Sequence, residues 1–483
     1  MDFILVFSPS YDRAAEIPVG GLFLCDALLK KDYSVGVIND FSHEEILAAV
    51  HRDTDEQTIA FGISTVSVLT FRDTIAISKA LKEAYPHIPV VWGGQAVAAN
   101  PEEILAFECV DYIVVGEAEE ALPELLAHLK QGREPNPIKG VGYKRDGKSI
   151  LQGIADYTEL TGVVELPYHL LDMPAYYRQL NIGGDRWLGA MYSRGCPFKC
   201  SFCYNSTIHG INTRIRFHEI DHVIHDIKRL SEQYGADSVT IHDDHFLINE
   251  NRVVRFCQRL LDEGITVNLR ANGRIDTINR MKDSTLALLK QVGFVNLISG
   301  IESGSPRMLE ILNKNITLEQ IEAVDAKLGQ HGLYKHWNFM TALPGETIED
   351  VALTLELIVR LARTSMDSPF PFSYRKYVPL PDTALYEMAV REYGLEVPES
   401  IEGWRDFSDR FLDERETGDL GMSTRPWMDL ALATYTDVGE KLVLAMNRLF
   451  IGQGADRAAI AQAVDALQAH VEQGLPQAQR RWA

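Results

Sequence analysis

A chain of 483 residues is long enough for two or three domains, and 46% hydrophobic with 24% charged residues is ordinary for a soluble globular protein. The net charge of −21 argues against a nucleic-acid partner, because neutralising phosphates requires clustered lysine and arginine. It is compatible with a neutral or cationic substrate, and equally with a solvated acidic surface. No apolar run approaches the ~18 residues of a membrane span, and Phe3–Phe7 is too short for a signal sequence, so we expect a cytoplasmic protein.

The first 135 residues alternate short β-branched runs with amphipathic helical stretches. This alternation predicts a parallel, doubly wound α/β sheet that binds a ligand at the carboxyl ends of its strands. The predicted strands are Phe3–Phe7, Val35–Asn39, Thr58–Ser64, Pro89–Trp92 and Asp111–Val115, and the predicted helices lie near 20–31, 44–52, 70–85, 100–107 and 118–130.

Five glycines lie where a ligand would approach this sheet. Gly20 and Gly21 open the first helix, Gly93 and Gly94 follow the fourth strand, and Gly116 follows the fifth. A glycine between strand and helix lets backbone N–H groups face a phosphate or an amide. A plain nucleotide or flavin site would have the same pattern, so the glycines alone do not identify the ligand.

Residues 136–185 are rich in proline, glycine and polar residues, which predicts a hairpin and a connector. A second alternation of strands and helices begins at Leu188. Six β/α units predict a barrel-type domain with its active site at the carboxyl ends of the strands. The predicted strands span 188–193, 237–242, 266–271, 294–299, 335–341 and 372–378, and the predicted helices span 218–233, 250–263, 281–291, 318–330 and 349–364.

Three of the six cysteines, Cys196, Cys200 and Cys203, have the spacing C-x3-C-x2-C on the loop after the first barrel strand. A structural zinc site normally has four ligands, and no fourth cysteine or histidine follows at a typical spacing. A four-iron cluster can instead be held by three cysteines, which leaves one iron open for a small molecule. The alternatives are unrelated thiols or a zinc loop with a distant fourth ligand. The remaining cysteines are expected to be buried thiols in a reducing compartment: Cys25, Cys109 and Cys257.

The run from Ser193 to Tyr204, with Phe202 before the last cysteine, resembles the cluster-binding loop of the radical S-adenosylmethionine (SAM) superfamily. The resemblance implies a partial six-unit barrel, a [4Fe-4S] cluster and an external electron donor of flavodoxin or ferredoxin type. In that family the open iron chelates SAM, and an electron from the cluster cleaves SAM to a 5′-deoxyadenosyl radical. Tyr204 is then a candidate catalytic residue near the iron or the substrate, with simple packing as the alternative.

Three segments of the first domain resemble the cobalamin-binding domain that precedes the barrel in many radical SAM enzymes: Pro18–Leu22, Val90–Gly94 and Val115–Glu119. The resemblance implies that cobalamin binds at the five glycines. The motif Asp-x-His-x-x-Gly, whose histidine ligates cobalt in many cobalamin proteins, is absent. This is usual in the subclass that binds cobalamin without a histidine ligand, and it is equally expected of a domain that has lost cobalamin.

Polar residues at the ends of the barrel strands are candidate SAM ligands. Asp243 and Asp244 lie where the family contacts the SAM ammonium group, for which carboxylates are suitable acceptors. The alternative is capping of the next helix, for which Asn249 is better placed. Arg270 and Asn272 alternate with apolar neighbours and are expected to face the barrel interior. Arg270 is suited to a carboxylate of SAM or substrate, or equally to an ion pair within the barrel.

The later barrel strands carry three further candidates. Glu302 and Ser303 lie in a segment that resembles the family's Gly-x-Glu-Ser-Gly motif beside the ribose and amino-acid part of SAM. A carboxylate in an apolar strand end needs a polar partner, which favours a ligand at Glu302. Thr341 lies on the strand that resembles the family's adenine-side strand, where glycine is usual.

Residues 391–483 have helical periodicity, with long amphipathic runs at Met428–Phe450 and Asp456–Gln473. They are expected to form either a cap over the barrel mouth, or a packing appendage or dimer surface. The predicted domains are a cobalamin-binding-type domain (1–135), a hairpin and linker (136–185), a radical SAM partial barrel (186–390) and a helical C-terminal domain (391–483).

These features predict a cobalamin-dependent radical SAM methyltransferase that methylates an unactivated carbon of a small-molecule natural product. Such a carbon has no acidic proton, so a radical and an alkyl-cobalt donor are chemically suited to it. One alternative is a radical SAM enzyme of the same architecture that catalyses dehydration, ring contraction or rearrangement, for example sugar or aminoglycoside deoxygenation. Another is a non-catalytic cobalamin or metal sensor. Methylthiotransferase chemistry is disfavoured, because the first domain has no second cysteine triad.

Overall fold

The computed structural model describes residues 1–7, 16–39, 42–180, 182–206, 213–365, 371–417, 424–450 and 457–474. For 412–417 the description covers the backbone and not the side chains. Within these ranges the chain forms two mainly parallel sheets, each covered by helices, and one short two-stranded ribbon. The doubly wound sheet and the partial barrel predicted from the sequence are both confirmed. The boundaries between the domains stay predictions.

The N-terminal sheet has five parallel strands and an antiparallel hairpin. Its strands are β1 Phe3–Phe7, β2 Val35–Ile38, β3 Ala60–Ser64, β4 Val90–Gly93, β5 Tyr112–Val114, β6 Val141–Arg145 and β7 Lys148–Leu151. Its helices are α1 Val19–Leu29, α2 His43–Asp53, α3 Phe71–Ala84, α4 Gln95–Ala99, α5 Pro101–Leu105 and α6 Ala118–Lys130. The strand order is β2-β1-β3-β4-β5-β6-β7. From β1 the chain adds β2 on one side and β3 on the other, so the order of the strands switches between β1 and β3. Ligands of such sheets bind outside the carboxyl ends of the strands at that point.

Strand β1 is buried on both faces, which explains its continuous apolar sequence. Phe3, Leu5 and Phe7 pack into a core shared with α1 and α6. Ile4 and Val6 face the opposite way, into a core shared with α2 and α3. Because both faces are packed, the strand ends and the turns that follow them are held in place.

The barrel domain is an open sheet of six parallel strands in the order β15-β14-β13-β12-β11-β8. Its strands are β8 Trp187–Ala190, β11 Ser238–Ile241, β12 Asn268–Asn272, β13 Phe294–Glu302, β14 Tyr334–Thr341 and β15 Phe372–Lys376, and the ribbon is β9 Ser193–Arg194 with β10 Arg216–Phe217. The outer helices are α7 Ile220–Glu232, α8 Glu250–Asp262, α9 Ile275–Arg280, α10 Asp283–Gln291, α11 Pro306–Ile311, α12 Leu318–Gln330 and α13 Ile348–Thr364. Short 3₁₀ helices span Val68–Thr70, Tyr168–Leu170, Met173–Tyr176, Tyr204–Ser206 and Phe246–Ile248. In the described part of the chain β8 and β15 do not pair, which leaves a half-barrel.

Capping residues define where several barrel helices begin. Thr317 caps α12 and Thr347 caps α13, each in a reciprocal capping box. The side chain of Asn249 accepts a hydrogen bond from the backbone N–H of Arg252 and so caps α8. The expectation that Asn249 is the cap is confirmed, and the aspartates before it are not required for this role.

Four helices follow the last barrel strand: α14 Ala384–Tyr393, α15 Ile401–Thr417, α16 Leu430–Phe450 and α17 Arg457–Gly474. Helix α15 packs on α3 of the N-terminal sheet, with the Trp404 ring edge-on to Phe71. Helices α16 and α17 both pack on α13, and α16 also packs on the edge strand β15. These contacts support the packing appendage rather than a cap over the barrel mouth.

The three cysteines outside the motif, Cys25, Cys109 and Cys257, are buried free thiols, as expected. Burial raises the pKa of Cys25 to about 12 and that of Cys257 to about 12, so both thiols are protonated at neutral pH. None of the described helices has the length and apolar character needed to span a bilayer.

The barrel contains a buried ion pair whose loss we expect to destabilise it. Lys335 Nζ lies 2.7 Å from Asp325 Oδ1, and the two side chains are 3% and 4% exposed. Replacing Lys335 with Met leaves the Asp325 carboxylate buried without its cation, so the free energy of unfolding should fall by roughly 3–5 kcal/mol. Urea unfolding followed by circular dichroism measures this. The control is Lys228→Met, which breaks an ion pair between Lys228, 41% exposed, and Glu263, 28% exposed. This change should lower the free energy of unfolding by less than about 1 kcal/mol. Equal effects of the two changes would contradict the prediction.

Candidate active site

A cavity of about 570 Å³ lies at the carboxyl ends of the N-terminal strands, beside the reversal in strand order. The barrel domain supplies the rest of its wall: Met191, Ser193, Arg194, Gly195, Asn205 and Asp244. All five glycines identified in the sequence line the cavity: Gly20, Gly21, Gly93, Gly94 and Gly116. The cavity therefore connects the ligand-binding edge of the N-terminal sheet with the loop that carries the three cysteines.

The glycines of this cavity differ in what requires them. Gly94 and Gly116 have positive φ angles of +110° and +101°, where a side chain is strained, and a Cβ on Gly94 would also collide with the backbone of Thr65. At Gly20 and Gly93 an added Cβ would meet no protein atom closer than 3.9 Å. The backbone conformation thus explains Gly94 and Gly116, whereas Gly20 and Gly93 leave space that a ligand can use.

The three motif cysteines lie on one loop directly after β9. Cys200 is buried, Cys196 and Cys203 are partly exposed, and all three are free thiols. Burial, with smaller effects of Asp244 and the neighbouring thiols, raises the pKa of Cys196 and raises that of Cys203 to about 12. A bound metal centre would have to displace these protons, since thiolate is the ligand form.

The arrangement of the thiols fits a cluster better than a single ion. In the described part of the chain, no three cysteine, histidine or carboxylate side chains are gathered as ligands of one metal ion. Ligands of a single tetrahedral zinc lie within about 4 Å of one another, given Zn–S bonds of about 2.3 Å. A four-iron cluster presents a separate iron to each thiolate, so its ligands need not converge on one point. Three cysteines on one loop are the donor set of a cluster held at three irons.

Hydrogen bonds connect the cysteine loop to helices of the same domain and to the residues beside them. Ser201 donates from its backbone N–H to the carbonyl of Leu312 (3.0 Å) and from Oγ to that of Ile311 (2.9 Å). The Leu385 N–H donates to the carbonyl of Ser201 (2.8 Å), and Asn313 Nδ2 donates to Lys199 (2.5 Å). These bonds hold the backbone between the cysteines in a defined conformation.

Arg274, which follows β12, is a site residue that sequence reasoning missed. Its guanidinium donates from Nη1 to Cys200 Sγ (3.5 Å), from Nη2 to the Lys314 carbonyl (2.6 Å) and from Nε to Asp276 Oδ1 (2.9 Å). It also stacks over the ring of Phe198, 3.8 Å from the ring centre. The only available signal was an arginine just beyond a strand end, and nothing in the sequence reveals its contact with a cysteine 74 positions away.

The two aspartates after β11 have different surroundings. Asp243 is buried and accepts bonds from the Tyr192 N–H and the Ser193 hydroxyl, both at 2.6 Å. Burial raises the pKa of Asp243 to about 6 in spite of these bonds. Asp244 is exposed to the cavity beside Asn205, and partial desolvation raises its pKa as well. Of the two predicted SAM ligands, Asp244 lines the cavity and Asp243 does not.

Arg270 and Asn272 of β12 both face the inside of the half-barrel. Asn272 Nδ2 donates to the backbone carbonyl of Asp243 (3.0 Å), so it supports the turn that carries the aspartates. Arg270 donates from Nε to Asn296 Oδ1 (3.1 Å), and its Nη2 lies 3.5 Å from His336 Nδ1. Among the described side chains no carboxylate forms an ion pair with Arg270, so the ion-pair alternative is not seen there.

Glu302 has a protein partner that the sequence did not reveal. Its Oε1 lies 2.7 Å from Lys314 Nζ, and the two side chains are 9% and 8% exposed. The backbone of Glu302 has a φ of +74°, next to a register shift in β13, and this turns its side chain towards Lys314. The carboxylate of Glu302 therefore has a protein partner and does not require a ligand for one, and its role in SAM binding stays a prediction.

Ser303 and Thr341 are also engaged within the protein. Ser303 is fully buried and its Oγ lies 3.0 Å from Thr354 Oγ1. Thr341 donates from Oγ1 to Glu346 Oε2 (3.2 Å), where burial raises the pKa of the glutamic acid to about 8. Neither hydroxyl lines the cavity between the domains. Their roles in SAM binding stay predictions that these contacts do not favour.

Tyr204 turns away from the cysteines. It is 9% exposed, and the nearby groups are the backbone of Val68 and the side chains of Tyr377, Tyr386 and Asp382. Burial raises the pKa of its hydroxyl well above the usual value. This environment supports packing between the domains over a catalytic role.

A buried ion-pair network joins the two halves of the cavity wall. Arg194 Nη1 lies 3.2 Å from Glu117 and 2.6 Å from Glu119, and Arg216 Nη2 pairs with the other oxygen of Glu117. Arg216 Nη1 also donates to the Thr158 carbonyl (2.7 Å). Burial acts to raise the pKa of Glu117, but the bond from Arg216 and the charge of Arg194 hold it below the usual range. The network ties the turn after β5 to the strand that leads into the cysteine loop.

Comparisons with known proteins agree with this architecture. Residues 191–358 match the model of the radical SAM superfamily, and residues 13–126 match that of the B12 binding domain. An uncharacterized methyltransferase of Pyrococcus horikoshii is 28% identical over 410 residues, which cover 81% of this chain and 86% of that protein. The anaerobic magnesium-protoporphyrin IX monomethyl ester cyclase of Rubrivivax gelatinosus is 28% identical over 60% of this chain and 53% of its own length.

The fold is also that of a solved structure. The radical SAM methyltransferase TsrM of Kitasatospora setae, determined with cobalamin and a [4Fe-4S] cluster, superposes with a TM-score of 0.68 at 18% identity, over 82% of this chain and 79% of that one. The radical SAM model covers the cysteine loop and four of the six barrel strands, and the B12 model covers all five glycines that line the cavity. The chain therefore contains a radical SAM domain preceded by a B12-binding domain, and it is similar to radical SAM methyltransferases with this pair of domains.

Proposed function

We propose that this enzyme transfers a methyl group to an unactivated carbon of a small-molecule, natural-product substrate, using SAM, a [4Fe-4S] cluster and cobalamin. The observation that carries the proposal is the shared cavity, in which Gly93 and Gly116 of the B12-binding domain face Gly195 and Asp244 beside the cysteines. A reaction that needs a radical generator and a methyl carrier at one carbon requires both sites to open onto one space.

In this proposal Cys196, Cys200 and Cys203 hold the cluster through their thiolates. When bound and reduced by a flavodoxin- or ferredoxin-type donor, the cluster supplies the electron that cleaves SAM to the 5′-deoxyadenosyl radical. Asp244 accepts hydrogen bonds from the SAM ammonium group, since its carboxylate faces the cavity beside the loop. Asp243 holds the backbone of Tyr192 and Ser193 in position below it.

The cavity floor binds cobalamin through shape and backbone contacts. Glycine and apolar side chains such as Ile17, Val19 and Val91 make up most of its lining, with Ser64 and Gln95 among the polar groups. Among the described residues, no histidine lines it. Cobalamin, when bound, carries the methyl group between SAM and the substrate. Gly20 and Gly93 allow the flat ligand to approach the backbone, because an added Cβ there would project into open space.

A second candidate is radical chemistry without methyl transfer, such as ring closure or contraction, dehydration or rearrangement. The similarity to the magnesium-protoporphyrin cyclase supports it, because that relative shares 60% of this chain at the same identity as the methyltransferase. In that case the B12-binding domain would hold cobalamin without using it as a methyl donor.

The two candidates differ in the products formed from SAM. Protein is purified anaerobically from cells supplied with cobalamin, the cluster is reconstituted, and SAM products are quantified by mass spectrometry after reduction. Methyl transfer predicts a single cobalamin per chain, with a spectrum lacking a nitrogen ligand to cobalt, and both S-adenosylhomocysteine and 5′-deoxyadenosine. Protein that stays free of cobalamin and still forms 5′-deoxyadenosine would refute methyl transfer.

The glycines provide a direct test of where cobalamin binds. Gly20→Ala and Gly93→Ala have room within the protein, so melting temperature should not change, while cobalamin affinity should fall about tenfold or more, or ~1.4 kcal/mol. Equilibrium titration of cobalamin followed by absorbance measures this. The control is Gly36→Ala on β2, where the Cβ makes ordinary contacts at 3.8 Å and lies outside the cavity lining. Unchanged affinity in both cavity variants would place cobalamin elsewhere.

Arg274 should tune the cluster. Replacing it with Gln removes a positive charge that donates to Cys200 Sγ, so the oxidised cluster becomes relatively more stable and the reduction potential should fall by on the order of 50 mV, ~1 kcal/mol for one electron. Redox titration monitored by electron paramagnetic resonance measures the shift. Arg280→Gln is the control, because Arg280 is 67% exposed and its ion pair within the described residues is with Asp276. An equal potential in both variants would contradict a role for Arg274.

A further inference from the structure

The inner face of the half-barrel is polar along β12. Leu269 and Ala271 are fully buried against the outer helices, whereas Asn268, Arg270 and Asn272 between and beside them are partly exposed. Alternate residues of a strand face opposite sides, so these three side chains point to the inside of the barrel. Arg270 comes two residues before Asn272, so it lies about 7 Å deeper in the barrel along the strand.

Neutral groups hold the Arg270 side chain. Its Nε donates to Asn296 Oδ1 at 3.1 Å, and Nη2 lies 3.5 Å from His336 Nδ1. Arginine can only donate, so His336 Nδ1 is the acceptor and Nε2 carries the proton, which it donates to Ser373 Oγ at 2.9 Å. Burial and the charges of Arg270 and Arg375 lower the pKa of His336 to about 3, so the ring is neutral. The guanidinium is therefore oriented by its neighbours without being neutralised.

The charged side chains around Arg270 do not neutralise its positive charge. Arg178 lies in the electrostatic neighbourhood of Arg270, and Arg375 lies in that of His336. Among the described residues, the carboxylate that acts on Arg270 is Glu16, and it forms an ion pair with Arg178 at 2.5 Å. Burial and repulsion from Arg178 lower the pKa of Arg270 to about 10. A partly buried cation whose acceptors are neutral is costly for the protein, and a bound anion reduces that cost.

We propose that the inside of the barrel binds a negatively charged group of the substrate, a carboxylate or a phosphate, with Arg270 as the residue that recognises it. This rests on the proposed function in so far as the substrate occupies the barrel. Asn272, one position above, touches the turn that carries Asp244 at the cavity. A substrate anchored at Arg270 would extend its uncharged part towards that cavity. The site thus selects an anion although the chain as a whole has a charge of −21.

Binding measurements with a matched pair of probes test the proposal without a known substrate. Reconstituted enzyme is saturated with S-adenosylhomocysteine, which occupies the SAM site, and titrated calorimetrically with 3-phenylpropionate, with its neutral amide and with inorganic pyrophosphate. At least one anion should bind about tenfold more tightly than the amide. Arg270→Gln should abolish that preference, Arg270→Lys should retain part of it, and the exposed Arg280→Gln should leave it unchanged.

Two results would overturn the proposal. One is that no anion binds in preference to the amide, or that Arg270→Gln keeps the preference. The other is that Arg270→Gln weakens S-adenosylhomocysteine about tenfold and leaves anion binding intact, which would assign Arg270 to the carboxylate of SAM. Cobalamin content and 5′-deoxyadenosine formation are measured on the same preparations. Failure of the proposed methyl transfer is then seen separately from failure of anion recognition.

Discussion

Two arginines of the barrel domain, Arg194 and Arg216, are paired with Glu117 and Glu119 of the B12-binding domain at positions where about a tenth of each side chain is exposed. Charges removed from water in this way are tolerated only when each has its counterpart in good geometry, and a displaced partner would leave an uncompensated charge. The pairing therefore restricts how the two domains can be placed. Because Gly116 directly precedes Glu117 and Cys196 follows Arg194 by two residues, the same restriction determines the distance between the glycine-rich floor and the cysteine loop.

The cavity depends on this restriction. Neither domain encloses it alone, since its floor comes from the turns after the parallel strands and its other wall from the segment between β8 and the cysteines. A cofactor in either half would face the other half directly. The ion pairs thus contribute to the chemistry indirectly, because they hold the two sheets in a fixed position relative to each other.

Arginine also surrounds the site in a protein with 47 basic and 68 acidic residues. Arg274 touches a cysteine sulfur, and Arg270 points into the barrel with only neutral acceptors. Thiolates, the carboxylate of SAM and an anionic substrate all place negative charge in a region of low dielectric, where a nearby cation is worth more than at the surface. The net charge of the chain therefore does not describe the two positions, beside the cysteine loop and inside the barrel, where an arginine can stabilise a bound anion.

The sequence by itself determined the order of strands and helices, the cysteine motif and the glycines, because each depends on neighbouring residues: periodic burial, the spacing of thiols on one loop, and turns after strands. Even the cap of α8 at Asn249 could be predicted from local pattern alone. The tertiary structure decided which candidates have partners. Lys314 neutralises Glu302, Thr354 engages Ser303, Tyr204 packs between the domains, and Arg274 reaches Cys200. It also placed α16 and α17 outside the barrel. These outcomes depend on contacts between residues far apart in the chain, which are set by how the sheets pack and leave no trace in local spacing.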